Sequence, residues 1–156
     1  MGSKTLQAAT NQEIITQTEA WNGVLQAVSD RKEAIKEIWQ PNEITDVILT
    51  GCGSTYYLSL AAAALFQQMT LHLARAISGG ELFMYPDAAY SRDCCTLLVA
   101  ISRSGITTET ITAVKRFREK QSGPVIVVTN YGKTPMAALG DLVIHMNPWP
   151  VKLVRT

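Results

Sequence analysis

The sequence predicts an α/β protein built on a doubly wound, five-stranded parallel sheet in the flavodoxin-like order 2-1-3-4-5, with a helical segment before it. After residue 41, short apolar runs recur that are continuous rather than alternating. Such runs are typical of strands covered by helices on both faces. Segments with helical periodicity lie between them, and this alternation of strand and helix predicts the doubly wound architecture.

The first forty residues are predicted to be helical. One helix covers residues 11–29, where apolar side chains recur at steps of three and four residues. A second helix covers residues 30–40, starts with a capping-box spacing and ends before Pro41. The stripe on the first helix contains Ile14, Trp21, Leu25 and Val28. We expect this stripe to be buried in a homo-oligomer, because one small sheet does not cover it.

Five strands are predicted after this segment. Four of them are apolar throughout, at residues 47–49, 97–101, 125–128 and 142–144. The remaining strand, residues 71–77, carries His72 and Arg75 and is expected at an edge of the sheet. We divide the chain into an N-terminal helical segment, residues 1–42, and a binding domain, residues 43–156.

Three helices are predicted between the strands. Residues 54–69 are apolar nearly all round, which favours deep burial. Residues 106–120 are amphipathic and end in basic side chains that suit the helix dipole. Thr134 and Pro135 open a short helix that runs to Leu139.

The composition excludes several classes of protein. The 156 residues suit about one domain, and with 47% apolar and 17% charged residues the chain is not disordered or collagen-like. A net charge of +1 gives no electrostatic reason to expect nucleic acid or an anionic membrane as a partner. The longest apolar stretch is far short of the ~20 residues of a membrane span. We therefore expect a cytoplasmic protein. The three cysteines lack zinc-ligand spacing, so we expect mostly buried, reduced thiols and no metal or other cofactor.

Two loops carry the residues that suit a ligand. Each follows a predicted strand, opens a helix, and combines glycine with hydroxyl side chains. Glycine allows close backbone approach, and the free N–H groups of a helix start favour an anion. The candidate phosphate-binding residues are Gly53, Ser54, Thr55, Ser102, Arg103, Ser104, Gly105 and Thr107. The alternative is that these hydroxyls only cap their helices, which is the commoner role of such residues.

The sequence gives little support for a nucleotide-binding motif or for a general base in the two loops. The third glycine of a dinucleotide fingerprint is absent after Gly53, and Gly132-Lys133-Thr134 lacks the first glycine of a P-loop. Neither ligand loop contains a carboxylate or a histidine. The possible general bases elsewhere, His72, His145 and Glu81, all have ordinary structural explanations, so no catalytic residue is assigned.

The two loops resemble the motifs of the SIS (sugar isomerase) domain family. The motifs are Gly51-Cys52-Gly53-Ser54-Thr55 and Ser102-Arg103-Ser104-Gly105-Ile106-Thr107, and the second is similar to the family's Ser-Gln-Ser-Gly-Glu-Thr. Asn130 and the helical head also fit. The sequence is most similar to the first domain of two-domain sugar-phosphate isomerases and deaminases, such as the tagatose-6-phosphate ketose/aldose isomerase type and the isomerase half of glucosamine-6-phosphate synthase.

The resemblance implies that the chain binds a phosphorylated sugar or amino sugar as one half of an aldose–ketose isomerase or amino-sugar-phosphate deaminase. Arg103 stands where glutamine is common and Ile106 where glutamate is common. The family continues beyond the fifth strand, so we expect a first domain cut short, whose general base is supplied from elsewhere. The alternative is a non-catalytic regulatory module that senses a sugar phosphate. Such modules carry a basic head, whereas residues 1–42 contain four basic and five acidic side chains.

Overall fold

The computed structural model describes residues 11–12, 14–90, 95–121 and 123–146. Two helices precede the sheet, α1 (Gln17–Asp30) and α2 (Lys32–Trp39). The elements that follow are β1 (Asp46–Gly51), α3 (Ser54–Thr70), β2 (Leu73–Ser78), α4 (Gly79–Met84), α5 (Pro86–Ala89), β3 (Thr96–Ile101), α6 (Thr108–Lys120), β4 (Val125–Thr129), a 3-10 helix (Ala137–Leu139) and β5 (Leu142–His145). The predicted alternation of strands and helices is confirmed.

The five strands form one parallel sheet in the order β2-β1-β3-β4-β5, which confirms the predicted topology. β1 lies in the middle, with Thr50 paired to Ile77 of β2 and to Ala100 of β3. β2 is an edge strand, as its polar residues predicted. On this edge the N–H of Ala74 donates to Gln67 Oε1 of α3 at 3.0 Å.

Successive residues of each strand point into two different apolar layers. Because the period of a strand is two, each strand supplies both layers, and this explains its continuous apolar run. The layer beneath α4 and α6 buries Ile48, Leu82, Leu98, Val114 and Phe117. The layer beneath α2 and α3 buries Val47, Leu49, Ala63, Leu97 and Ile126.

The predicted deep burial of residues 54–69 is wrong. Ser59 and Ala63 are the buried residues of α3, which packs on the sheet along one stripe only. The outer face is uncharged and exposes Tyr57, Leu58, Leu60, Leu65 and Met69. The helix lies over the β1–β2 end of the sheet, where the sheet stops. A sequence that is apolar on all sides shows that the helix carries no charges, but it does not show whether other parts of the protein cover it.

Two smaller predictions also differ from the structure. The short helix predicted over residues 134–139 is a 3-10 helix of three residues, Ala137–Leu139. α5 was not predicted, since four residues give too short a period to recognise.

Among the described residues, no helix has the length and apolar character needed to cross a membrane.

An ion pair between a buried carboxylate and a partly exposed arginine joins the two strands at the amino end of the sheet. Asp46 at the start of β1 is 2% exposed, and its Oδ2 lies 2.9 Å from Nη2 of Arg75 in β2. The same Nη2 donates to the carbonyl of Ala89 at 2.7 Å. Arg75 therefore connects β1, β2 and α5 while it neutralises a carboxylate that water does not reach.

We predict that Arg75→Ala lowers the free energy of unfolding by about 3 kcal/mol, because it leaves the buried Asp46 carboxylate without its partner. The control is Arg116→Ala, whose pair with Glu119 is exposed on both sides and should contribute less than about 1 kcal/mol. Urea denaturation of both variants measures the difference. Equal losses would show that the Asp46 pair does not stabilise the fold in this way.

Candidate functional site

The strand order creates a switch point at the carboxyl ends of β1 and β3. The chain leaves β1 toward α3 on one face of the sheet and leaves β3 toward α6 on the other face. Because the two strands are neighbours, the two predicted loops open side by side at one edge. Ligands of open α/β sheets bind at this type of crevice.

The first loop is a tight turn that its own threonine stabilises. Thr55 Oγ1 accepts the N–H of Cys52 at 3.0 Å and donates to the carbonyl of Cys52 at 2.9 Å. Gly53 has φ +59° and is the N-cap of α3, and a Cβ on Gly51 would lie 2.5 Å from Thr55 Oγ1. The Thr55 hydroxyl is thus engaged within the turn, whereas Ser54 is exposed at the helix start. Cys52 is also exposed and Cys95 is half-buried, which differs from the expectation that the thiols are mostly buried.

The second loop is organised around a buried serine. Ser102 is 2% exposed, and its Oγ accepts the N–H of Gly105 at 3.1 Å and lies 3.1 Å from Thr107 Oγ1. Ser104 is half-buried, and its Oγ accepts the N–H of Ile106 at 3.4 Å. Gly105 takes φ +66°, a conformation that suits glycine and closes the turn. Arg103 is exposed on the same turn.

The start of α6 presents backbone donors at this edge. Thr107 is the N-cap, and its side chain does not cap the helix N–H groups. The first N–H groups of a helix have no carbonyl partner within it, and the helix dipole places partial positive charge there. The 13-residue α6 and the 17-residue α3 both begin at this edge of the sheet. The arrangement suits a bound anion.

A third segment, residues 130–136, packs against the second loop. The N–H of Asn130 donates to the carbonyl of Arg103 at 3.1 Å, and the N–H of Met136 donates to the carbonyl of Gly105 at 3.2 Å. The side chain of Thr134 lies directly against Gly105. In this segment, sequence reasoning connected only Asn130 with the family's motifs. The predicted strand order contained the missing signal, since a loop that follows β4 must open beside the loop that follows β3.

The candidate bases are distributed around the molecule. His72 precedes β2 and therefore lies at the amino ends of the strands, away from the two loops, where its ring packs edge-on against Trp39. His145 ends β5 at the ligand edge, and its Nε2 lies 2.9 Å from the carbonyl of Asn130. The N–H of Glu81 donates to Ser78 Oγ at the start of α4, so its position follows from helix capping. Among the described residues, no group of three or more His, Cys, Asp or Glu side chains could hold a metal ion.

This architecture defines a class: a doubly wound α/β domain whose switch point brings two helix starts, small residues and hydroxyls together at one edge of the sheet. The SIS domain model matches residues 42–154, and the chain belongs to the SIS domain family. The match includes both loops and the segment after β4.

Relatives and solved structures agree with this assignment. The chain is 35% identical over 123 residues to a glutamine–fructose-6-phosphate aminotransferase (isomerizing) of Helicobacter pylori, covering 79% of this chain and 20% of that protein. It thus spans about a fifth of the length of that curated relative. Tagatose-6-phosphate ketose/aldose isomerase from Escherichia coli has the same fold, with a TM-score of 0.79, 21% identity, and coverage of 88% of this chain and 39% of that one. The Vibrio vulnificus NanR protein complexed with ManNAc-6P has a TM-score of 0.66 and 19% identity, covering 84% and 49% of the two chains.

We predict that Gly105→Ala destabilises the protein by about 2 kcal/mol or more, since a Cβ there combines a positive φ with a clash against Thr134. The matched control is Gly80→Ala in α4, where a Cβ meets open space and alanine favours the helix. Thermal and urea unfolding of both variants test this. If Gly105→Ala is as stable as Gly80→Ala, the turn is not fixed by its packing on the third segment.

Proposed function

We propose that this protein acts in the cytoplasm and binds a phosphorylated sugar or amino sugar at the carboxyl edge of its sheet, with the phosphate over the 102–107 turn. The observation that supports this most directly is the convergence of two long-helix starts and two hydroxyl-bearing turns at the switch point. A phosphate ester accepts hydrogen bonds from backbone N–H groups and from hydroxyls, and both are present here.

The hydroxyls have two roles in this proposal. Ser102 and Thr55 hold their turns through the hydrogen bonds described above, so they shape the cradle. Ser104 and Ser54 are the better direct donors, since neither hydroxyl is committed to a short internal hydrogen bond. Gly53 leaves open space for a phosphate to approach the backbone, and Gly105 and Thr107 lead the chain into α6, whose first N–H groups are donors. Arg103 adds charge on the exposed side of the turn.

The proposal extends to one half of an aldose–ketose isomerase or an amino-sugar-phosphate deaminase. Its support is the name of the 35% identical relative, which acts on fructose 6-phosphate, together with the fold shared with a sugar-phosphate isomerase. Proton transfer between neighbouring carbons needs a positioned general base. The hydroxyls and backbone groups of the two turns cannot serve in this role.

A non-catalytic sensing module is the second candidate. One observation favours it, because NanR with bound ManNAc-6P has a similar fold. The slightly acidic composition of residues 1–42 argues against a DNA-reading head of the usual basic kind.

We predict that Ser104→Ala weakens the binding of fructose 6-phosphate about tenfold, because a hydrogen bond to a charged group contributes on the order of 1.5–3 kcal/mol. Folding should change little, since the Ser104 hydroxyl makes one long local contact. Isothermal titration calorimetry measures the affinity, with inorganic phosphate as a competitor and fructose as the uncharged comparison.

The control for this variant is Thr112→Ala, which deletes a hydroxyl that donates only to the carbonyl of Thr108 within α6. Its affinity should equal that of the unchanged protein. Equal affinity for fructose and fructose 6-phosphate would contradict the phosphate site. So would an unchanged affinity in Ser104→Ala.

We also propose that the protein is a homo-oligomer that buries the head helices. The stripe predicted on α1 is exposed in the single chain, with Trp21 at 64% and Leu25 at 69%. The outer face of α3 adds further exposed apolar side chains. Exposed apolar side chains of this kind are typical of interaction surfaces.

Leu25→Glu is expected to shift the protein toward monomer, because it places a charge in the proposed contact. The control is Met84→Glu on α4, an exposed apolar side chain on the other face of the sheet, which should leave the assembly unchanged. Sedimentation velocity over a range of protein concentrations distinguishes the species. An unchanged protein that stays monomeric at high concentration would refute the proposal.

A further inference from the structure

We infer that Lys133, in the third segment (residues 130–136), contacts the ligand and supplies a positive charge to its phosphate. The inference rests on the proposed function and adds a residue that neither the sequence motifs nor the two ligand loops include. Gly132-Lys133-Thr134 lacks the first glycine of a P-loop, so no sequence motif supports a role for Lys133. The inference depends on the position of this lysine in the fold.

The segment that carries Lys133 is fixed to the phosphate turn at both of its ends. Asn130 and Met136 donate their N–H groups to the carbonyls of Arg103 and Gly105, at 3.1 and 3.2 Å. These two anchors span seven residues, and Lys133 lies at the centre. A segment held in this way has a defined position relative to the turn.

Two further contacts locate the middle of the segment. The Thr134 side chain packs on Gly105, and its Oγ1 accepts the N–H of Ala137 at 3.2 Å, which holds Thr134 in place. On the other side of Lys133, a Cβ on Gly132 would lie 3.6 Å from the His145 ring. The backbone of Lys133 is therefore bracketed between the phosphate turn and the end of β5.

The side chain of Lys133 is available for a ligand. Lys133 is exposed, and it forms no ion pair with any residue in the described ranges. By contrast, Arg118 and Lys120 at the other end of α6 are paired with Asp141 and Asp87. Thr134, the next residue, packs on Gly105, which places the backbone of Lys133 near the turn. A lysine carries its charge on a flexible four-carbon stem, and in our inference this stem extends toward an anion above the turn.

The charge also has a chemical reason. Hydroxyls and helix N–H groups are neutral donors that share only partial positive charge, whereas a phosphate ester carries about −1.5 to −2 at neutral pH. A full cation near the site would balance more of this charge than the neutral donors do. Lys133 stands on the β4 side of the turn, so it would approach the phosphate from the side opposite α3.

The test compares three variants of the full 156-residue chain. Lys133→Gln removes the charge, Lys133→Arg keeps it, and Lys115→Gln removes an equivalent charge from the exposed surface of α6, where Lys115 has no ion pair among the described residues. Calorimetry with fructose 6-phosphate and with inorganic phosphate gives the affinities at low and at high salt. Urea denaturation checks that the variants are equally stable.

Lys133→Gln should weaken both ligands about five- to tenfold at low salt, and high salt should reduce this difference through screening. Lys133→Arg and Lys115→Gln should stay within about twofold of the unchanged protein. If Lys133→Gln binds normally while Ser104→Ala is weakened, the inference is wrong and the proposed function stands. If Lys133→Arg loses as much affinity as Lys133→Gln, the segment contributes by its shape and the inference about charge is also wrong. If the unchanged protein binds neither ligand, the proposed function fails and the inference fails with it.

Discussion

Parallel pairing of the strands is the constraint on which the rest of this structure depends. In a parallel sheet every strand ends at the same edge, so each loop that follows a strand opens there and each connecting helix starts there. The three segments of the candidate site come from the ends of β1, β3 and β4, which are consecutive neighbours in the sheet. No long-range side-chain contact is needed to gather them. Hydrogen bonds between their backbones then fix the details, as those between Arg103 and Asn130 and between Gly105 and Met136 show.

Charged side chains at the amino ends of the strands form ion pairs. There Arg75 neutralises the buried Asp46, and Arg118 contacts Asp141, whose carboxylate also accepts the N–H of Val125. Both arginines thus form ion pairs with carboxylates of the same chain. At the carboxyl edge, Arg103 and Lys133 are exposed, whereas Ser102 is buried and holds its turn. These ion pairs and the candidate site thus lie at opposite ends of the strands.

Much of the fold could be predicted because its signals are local. Continuous apolar runs such as residues 97–101 identify strands covered on both faces, and the loops before residues 54 and 108 identify helix starts. The prediction failed where the answer depends on what else packs nearby. The apolar sequence of α3 predicted burial, yet the helix overhangs the end of the sheet with much of its surface exposed. The third segment, residues 130–136, is positioned by contacts with Arg103 and Gly105, which are distant in the sequence, so local signals did not indicate its place beside the second loop.

The glutamine of α3 that reaches the edge strand limits how this protein can associate. Gln67 Oε1 occupies the outward N–H of Ala74, a group that an added β-strand would need for its first hydrogen bond. Extension of the sheet into a neighbouring molecule would have to break that bond and displace α3 as well. Strand addition at β2, the usual hazard of an open parallel edge, is therefore disfavoured by a single side chain. On the helical side of the sheet, by contrast, the apolar side chains of α1 and of the outer face of α3 are exposed in the single chain.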